Sequence, residues 1–247
     1  MPGKNNWEVD HLQYGFTPGT ISPPPVSPPS SPNGFFFNLS TDADNFTIDP
    51  ARVGNLLVQG LDGNDFIQGS PSADRINGNA GDDNILGGDG NDTLWGGRDS
   101  DRIDGNAGND IISGNRGNDT LSGGSGDDIL RGGQNNDVLI GGAGNDQLVG
   151  DLGRDILTGE AGNDLFVLRV NAAASSVSEA DVITDFTAGQ DAIGLTNGLT
   201  FAGIALDASG GNTAIRIVAT GQILGVVTGI QPAALSPANF TTLNGDF

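Results

Sequence analysis

A nine-residue unit repeats twelve times without a slip between Gly60 and Val167. Every unit has Gly at position 1, Asp at position 6 and an apolar residue at position 8. The sixth positions are Asp65, Asp74, Asp83, Asp92, Asp101, Asp110, Asp119, Asp128, Asp137, Asp146, Asp155 and Asp164. The eighth are Ile67, Ile76, Ile85, Leu94, Ile103, Ile112, Leu121, Leu130, Leu139, Leu148, Leu157 and Phe166. A unit this short buries its apolar residue only against neighbouring units, so the period predicts an all-β solenoid before any strand is assigned. One carboxylate per unit makes a ladder of anions.

The charge balance narrows what such a ladder meets. The 247 residues include 31 acidic and 10 basic side chains, a formal charge of −21. The repeat carries 20 of the acids and 6 of the bases, hence −14. Nucleic acid and anionic membrane both reward Lys and Arg, so neither is expected as a partner; a cation is. With no cysteine, disulfide and thiolate metal sites are excluded. No stretch approaches the ~20 apolar residues of a membrane span. The start, Met1-Pro-Gly-Lys-Asn-Asn-Trp7, has no apolar signal region, so export would need a route without an N-terminal signal.

Four segments are expected. Residues 1–34, with Ser22-Pro-Pro-Pro-Val-Ser-Pro-Pro-Ser-Ser-Pro32, read as a Pro/Ser-rich disordered tail. Residues 35–59 read as short capping strands, and Leu56 stands where the ladder would place Asp. The repeat fills 60–167. Residues 168–247 read as a β-rich cap of about five strands, with Asn171–Ala180 as a weak helix candidate. Late in the array, outward positions 7 and 9 turn apolar: Val138, Ile140, Val149, Ile156, Leu165 and Val167. They call for a cover, either the 168–247 region folding back or a partner subunit.

The turn chemistry is clearest in Gly87-Gly88-Asp-Gly90, Gly123-Gly124-Ser-Gly126 and Gly141-Gly142-Ala-Gly144, each followed two residues later by the ladder Asp. Gly at positions 1, 2 and 4 permits φ > 0, so carbonyl oxygens can converge. Carbonyl and carboxylate oxygens, without nitrogen or sulfur, suit a hard cation, and a flexible cage of six to eight oxygens suits Ca²⁺. Asp99 and Asn135 replace the fourth Gly and tolerate the left-handed region. Ser70, Pro71 and Ser72 depart further, which makes the Asp74 turn the weakest.

This unit resembles the haemolysin-type, or RTX, nonapeptide Gly-Gly-x-Gly-x-Asp-x-U-x. The resemblance implies a right-handed parallel β-roll, a Ca-stabilised solenoid, with two units per coil and Ca²⁺ between turns two units apart. It pairs Asp65 with Asp83, Asp74 with Asp92, and so on to Asp146 with Asp164, up to about ten ions. It also implies secretion: Asp181-Val-Ile-Thr-Asp-Phe186 and the terminal Asp246-Phe247 are similar to the end of proteins that leave by a type I secretion exporter. Ca²⁺ affinity in the ~10⁻⁴–10⁻³ M class would leave the roll open inside a cell and folded outside.

Catalytic motifs are missing. There is no His-Glu-x-x-His, the one histidine is His11, and Ser125 lacks the second Gly of Gly-x-Ser-x-Gly. Asp82 and Asp127, which adjoin ladder residues, read as a solvated face. The sequence therefore points to no enzyme but to a secreted calcium-binding module, a cell-surface or matrix component. The other reading is the terminal calcium-binding and export piece of a larger enzyme, toxin or adhesin.

Overall fold

The computed structural model describes residues 36–50 and 57–243. The Pro/Ser-rich tail, Leu56 and the Asp246-Phe247 end lie outside the described residues. The fold is an all-β parallel solenoid. Strands β1 (Phe36–Asn38), β2 (Asn45–Thr47), β3 (Leu57–Asp62) and β4 (Phe66–Gln68) lead into β5 (Arg75–Ala80). From there one six-residue strand follows another: β6 (Asn84–Asp89), β7 (Thr93–Arg98), β8 (Arg102–Ala107), β9 (Ile111–Arg116) and β10 (Thr120–Ser125). β11 (Ile129–Gln134), β12 (Val138–Ala143), β13 (Gln147–Leu152) and β14 (Ile156–Ala161) continue to β15 (Leu165–Leu168).

Odd-numbered strands form one parallel sheet and even-numbered strands the other. Each residue faces its equivalent one coil away, Thr120 opposite Val138 and Ile129 opposite Ile111. The coil is thus eighteen residues, two units, as the resemblance implies. Strands run longer than three residues because positions 2 and 3 of the next unit pair again with their equivalents one coil away, Gly124 with Gly142 and Ser125 with Ala143. The burial alternates accordingly: Leu121 and Gly123 are buried in β10, while Thr120 and Ser122 are half exposed. All twelve eighth-position side chains are at most 1% exposed. They form a single file between the sheets, extended by Phe46, Val58, Ile183 and Ile193.

The stack outlasts the sequence period. β16 (Asp181–Ile183) pairs in parallel with β14, and β17 (Ala192–Leu195) with β15. An antiparallel group of β18 (Ile204–Ser209), β19 (Asn212–Ile217) and β20 (Ile223–Val227) then joins β16, while β21 (Phe240–Thr242) joins β17. The helix candidate at Asn171–Ala180 is replaced by one 3₁₀ turn, Val170–Ala172, and a bridge from Ala174 to Ile223. Competition from that strand-edge pairing removes the helix.

The C-terminal strands extend both sheets instead of lying across them. Val149 and Val167 are buried, whereas Val138, Ile140, Ile156 and Leu165 keep partial exposure. Val149 lies in register between Arg131 and Val167. Arg131 and Arg169 both ion-pair with Asp151, which places a salt-bridge cluster on that outer face.

Candidate metal centre

The strands end at turns, and every turn brings its Asp to an edge of the roll. All twelve ladder aspartates are at most 6% exposed. Two columns result, one running Asp65, Asp83, Asp101, Asp119, Asp137, Asp155 and the other Asp74, Asp92, Asp110, Asp128, Asp146, Asp164. Within each column the backbone N–H of one Asp donates to Oδ1 of the Asp one coil later. Ten such bonds, from Asp65 to Asp83 through Asp146 to Asp164, measure 2.7–2.9 Å. They join the same ten pairs that the resemblance specifies.

The second oxygen of each carboxylate is the informative one. Oδ2 of Asp65, Asp83, Asp92, Asp101, Asp110, Asp119, Asp128, Asp137, Asp146 and Asp155 is buried with no hydrogen-bond partner. A buried, unpartnered carboxylate oxygen costs several kcal/mol unless something positive meets it. The backbone around it supplies further oxygens. A Cβ on Gly105 would lie 2.6 Å from the Gly123 carbonyl oxygen and closer still to Asp110 Oδ2. Position 1 is therefore Gly because carboxylate and carbonyl crowd the same point. Among the described residues no three His, Asp or Glu side chains converge. A cation here would be held by paired carboxylates plus turn carbonyls, the donor set of Ca²⁺.

Backbone conformation agrees. Gly88, Gly90, Gly124, Gly126, Gly142 and Gly144 all have φ between 106° and 144°. The replacements follow suit, with Asp99 at 72° and Asn135 at 81°. Position 2 keeps a positive φ where Gly is replaced by Asn79, Asn106, Asn115, Asp151 or Glu160, at 67–77°, but not at Ser70. The turn that expectation singled out as weak does differ. Ser70 donates its N–H to Asp74 Oδ2 at 2.6 Å, so this carboxylate is already satisfied.

The structure adds rungs that the nine-residue register hides. Asp44 donates to Asp65 Oδ1 at 2.8 Å, Asp155 to Asp181 Oδ1 at 3.1 Å, and Asp164 to Asp191 Oδ1 at 3.1 Å. The spacings of 21, 26 and 27 residues break the period. The half-unit Asp-x-apolar nevertheless marks each one: Asp44-Asn-Phe46, Asp181-Val-Ile183 and Asp191-Ala-Ile193. Two of these rungs are closed like Asp74. Ser40 N–H caps Asp44 Oδ2 and Thr187 N–H caps Asp191 Oδ2, each at 2.7 Å.

A second ladder sits at position 5, where a solvated face was expected. Ser100 N–H donates to Asp82 Oδ1 at 2.9 Å and Asn145 N–H to Asp127 Oδ1 at 2.7 Å. The Asn side chains at 64, 91, 109, 118, 136 and 145 accept in the same way from the following coil. These residues are exposed, yet they stitch the turns in the opposite sense to the Asp ladder.

The buried carboxylates hold protons strongly. Burial, reinforced by like charges one coil away, pushes Asp101 and Asp137 up to about 8 and Asp92 and Asp128 to about 7. Burial raises Asp65, Asp83, Asp119 and Asp146 to about 6. The N–H each accepts pulls the other way without winning. In the unfolded chain these groups titrate near the ordinary 3.8. The folded metal-free roll therefore binds more protons than the unfolded chain across this window, and its stability falls as pH rises through 6 to 8. Calcium requires the ionised form, so its affinity rises over the same range. In chelator, far-UV circular dichroism should show more β structure at about pH 5 than at about pH 8; β signal that grows with pH would contradict the ladder's burial.

Fold and edges together define a parallel β-roll lined by buried carboxylates. Residues 59–94, 86–121, 95–130 and 131–166 each match the RTX calcium-binding nonapeptide repeat, and segment 59–166 is an array of these repeats. Similar solved structures include the AlgE6R3 subunit of the Azotobacter vinelandii mannuronan C5-epimerase, 28% identical over 61% of this chain and 77% of that one, TM-score 0.25. Another is the extracellular lipase LipA from Serratia marcescens, 18% identical over 76% of this chain and 43% of that one, TM-score 0.29. No curated protein matches the sequence. Among the described residues no helix is long and apolar enough to cross a membrane.

Proposed function

We propose that this is a secreted calcium-binding RTX protein whose roll folds when Ca²⁺ enters the ladder outside the cell, with a structural and binding role and no catalysis. The observation that carries the reading is the set of ten buried Oδ2 atoms without a partner. Asp74, Asp44 and Asp191 fall outside that set, because a backbone N–H from four residues earlier already occupies their second oxygen. Ions belong between the uncapped aspartates of each column, from Asp65 to Asp155 and from Asp92 to Asp164. The capped rungs close column ends without metal.

The register accounts for every buried carboxylate of the repeat except Asp151, which Arg131 and Arg169 hold, leaving none arranged for acid–base work. The 168–247 region serves as the end of the stack and as the segment read by a type I exporter. Type I export of an unfolded chain agrees with a roll that stays open at the low calcium of a cell interior. Small-angle scattering during a calcium titration tests the folding half of this reading. The radius of gyration should fall from an expanded chain to a compact one in a single cooperative step; a compact particle already present in chelator would overturn it.

A further inference from the structure

We propose that the outer face of the odd-numbered sheet carries a binding site for a carboxylated saccharide, centred on Trp95, Arg98 and Arg116. The roll's bases are unevenly placed. Of its six arginines, Arg75, Arg98, Arg116 and Arg131 stand on odd-numbered strands, Arg102 on an even strand and Arg154 in a turn. Acids on the roll's strands are split, Asp62 and Asp151 on odd strands against Asp89, Asp104 and Glu160 on even ones, and Asp151 is already taken up by Arg131 and Arg169. In a chain of charge −21 this is a local reversal of sign.

Arg75, Asn79, Trp95, Arg98, Asn115 and Arg116 line one shallow, solvent-open groove of about 520 Å³ across β5, β7 and β9. Register builds it. Arg98 faces Arg116 on the next strand, Asn79 faces Gly97 and Gly97 faces Asn115, so the groove deepens where position 2 is Gly. Arg131 is bound to Asp151, but Arg75, Arg98 and Arg116 make no ion pair among the described residues. Arg75 instead stacks 5.6 Å from the Trp95 ring centre, which holds the indole at the groove wall.

The chemistry selects the ligand. Guanidinium groups bind a carboxylate through paired N–H donors. An amide side chain both donates and accepts, which matches the hydroxyls of a sugar, and an indole face covers the apolar face of a pyranose ring. An acidic peptide would use the arginines and could pair its backbone with the amides, but an oligoglutamate brings no pyranose face to the indole. Ions in the ladder, which this step takes from the calcium reading, lower the roll's negative charge and remove the long-range repulsion of an anionic ligand.

The test uses the full chain in saturating Ca²⁺, titrated calorimetrically with hyaluronan oligosaccharides. Neutral chitin oligosaccharides and an oligoglutamate peptide serve as comparisons. Binding should occur with hyaluronan alone and weaken about tenfold or more in Trp95→Ala and in the Arg98→Ala/Arg116→Ala variant, as loss of charge-assisted bonds requires. All three side chains point outward, so the calcium-induced circular dichroism should stay as in the parent. No hyaluronan binding by calcium-folded protein, equal binding by the variants, or equally tight binding of oligoglutamate would overturn the proposal. A chain that ignores calcium would instead overturn the reading on which it rests.

Discussion

Asp128→Asn is expected to remove two calcium ions from the roll, and Asp74→Asn none. Asp128 takes part in two successive pairs, accepting the Asp110 N–H at 2.7 Å and donating its own to Asp146 Oδ1 at 2.8 Å. Asparagine keeps an oxygen for Asp110 but turns an NH₂ group toward the place where Asp128 Oδ2 now has no partner. A cation on either side then loses a negative ligand and meets a positive dipole. At 100-fold saturation each lost site removes about 2.7 kcal/mol of stability. At Asp74 the second oxygen already accepts the Ser70 N–H, and asparagine can supply that acceptor equally well. Equilibrium dialysis with labelled calcium separates the two variants. In chelator the order reverses: neutralising a buried carboxylate that resists ionisation should leave the metal-free Asp128→Asn chain no less stable than the parent.

Removing calcium altogether should have the largest effect, loss of most of the roll. Each coil buries two eighth-position side chains against eighteen ordered residues, a small apolar return for the conformational entropy lost. It also brings carboxylates into register one coil apart in both columns, each with an unpartnered oxygen at most of its rungs. Without a cation those oxygens must be protonated or repel, and at neutral pH both options oppose folding. With calcium the same oxygens become ligands, and metal affinity is expressed as folding free energy. The melting temperature should rise steadily with each tenfold increase in free Ca²⁺, because several sites contribute in parallel.

Much of this was legible from three fixed positions in a nine-residue unit repeated twelve times. Gly at position 1, Asp at 6 and the apolar residue at 8 were enough to specify a solenoid and its file of buried side chains, while the two-unit coil and the ten Asp pairs came from the resemblance to the RTX nonapeptide. Asp44, Asp181 and Asp191 were not legible at that level, because loops of irregular length separate them from the array. Local Asp-x-apolar half-units keep them in the ladder, a signal weaker than the full nonapeptide. The position-5 ladder was hidden for another reason. Asn, Asp and Ser are interchangeable acceptors for a backbone N–H, so the position looks variable and solvent-facing. The poor turn around Asp74 was visible through Ser70-Pro71-Ser72, but its physical cause, a capped Oδ2, needed coordinates. The continuation of both sheets into β16 and β17 was legible only through the half-units Asp181-Val-Ile183 and Asp191-Ala-Ile193, because the nine-residue period has already stopped there.

Far-UV circular dichroism of the full chain tests the central claim most directly, recorded first in excess EDTA at neutral pH and then after Ca²⁺ is restored in excess. The spectrum in EDTA should be largely unfolded and β-sheet signal should return on adding Ca²⁺, with Mg²⁺ unable to substitute. A full β spectrum that persists unchanged in EDTA would contradict it.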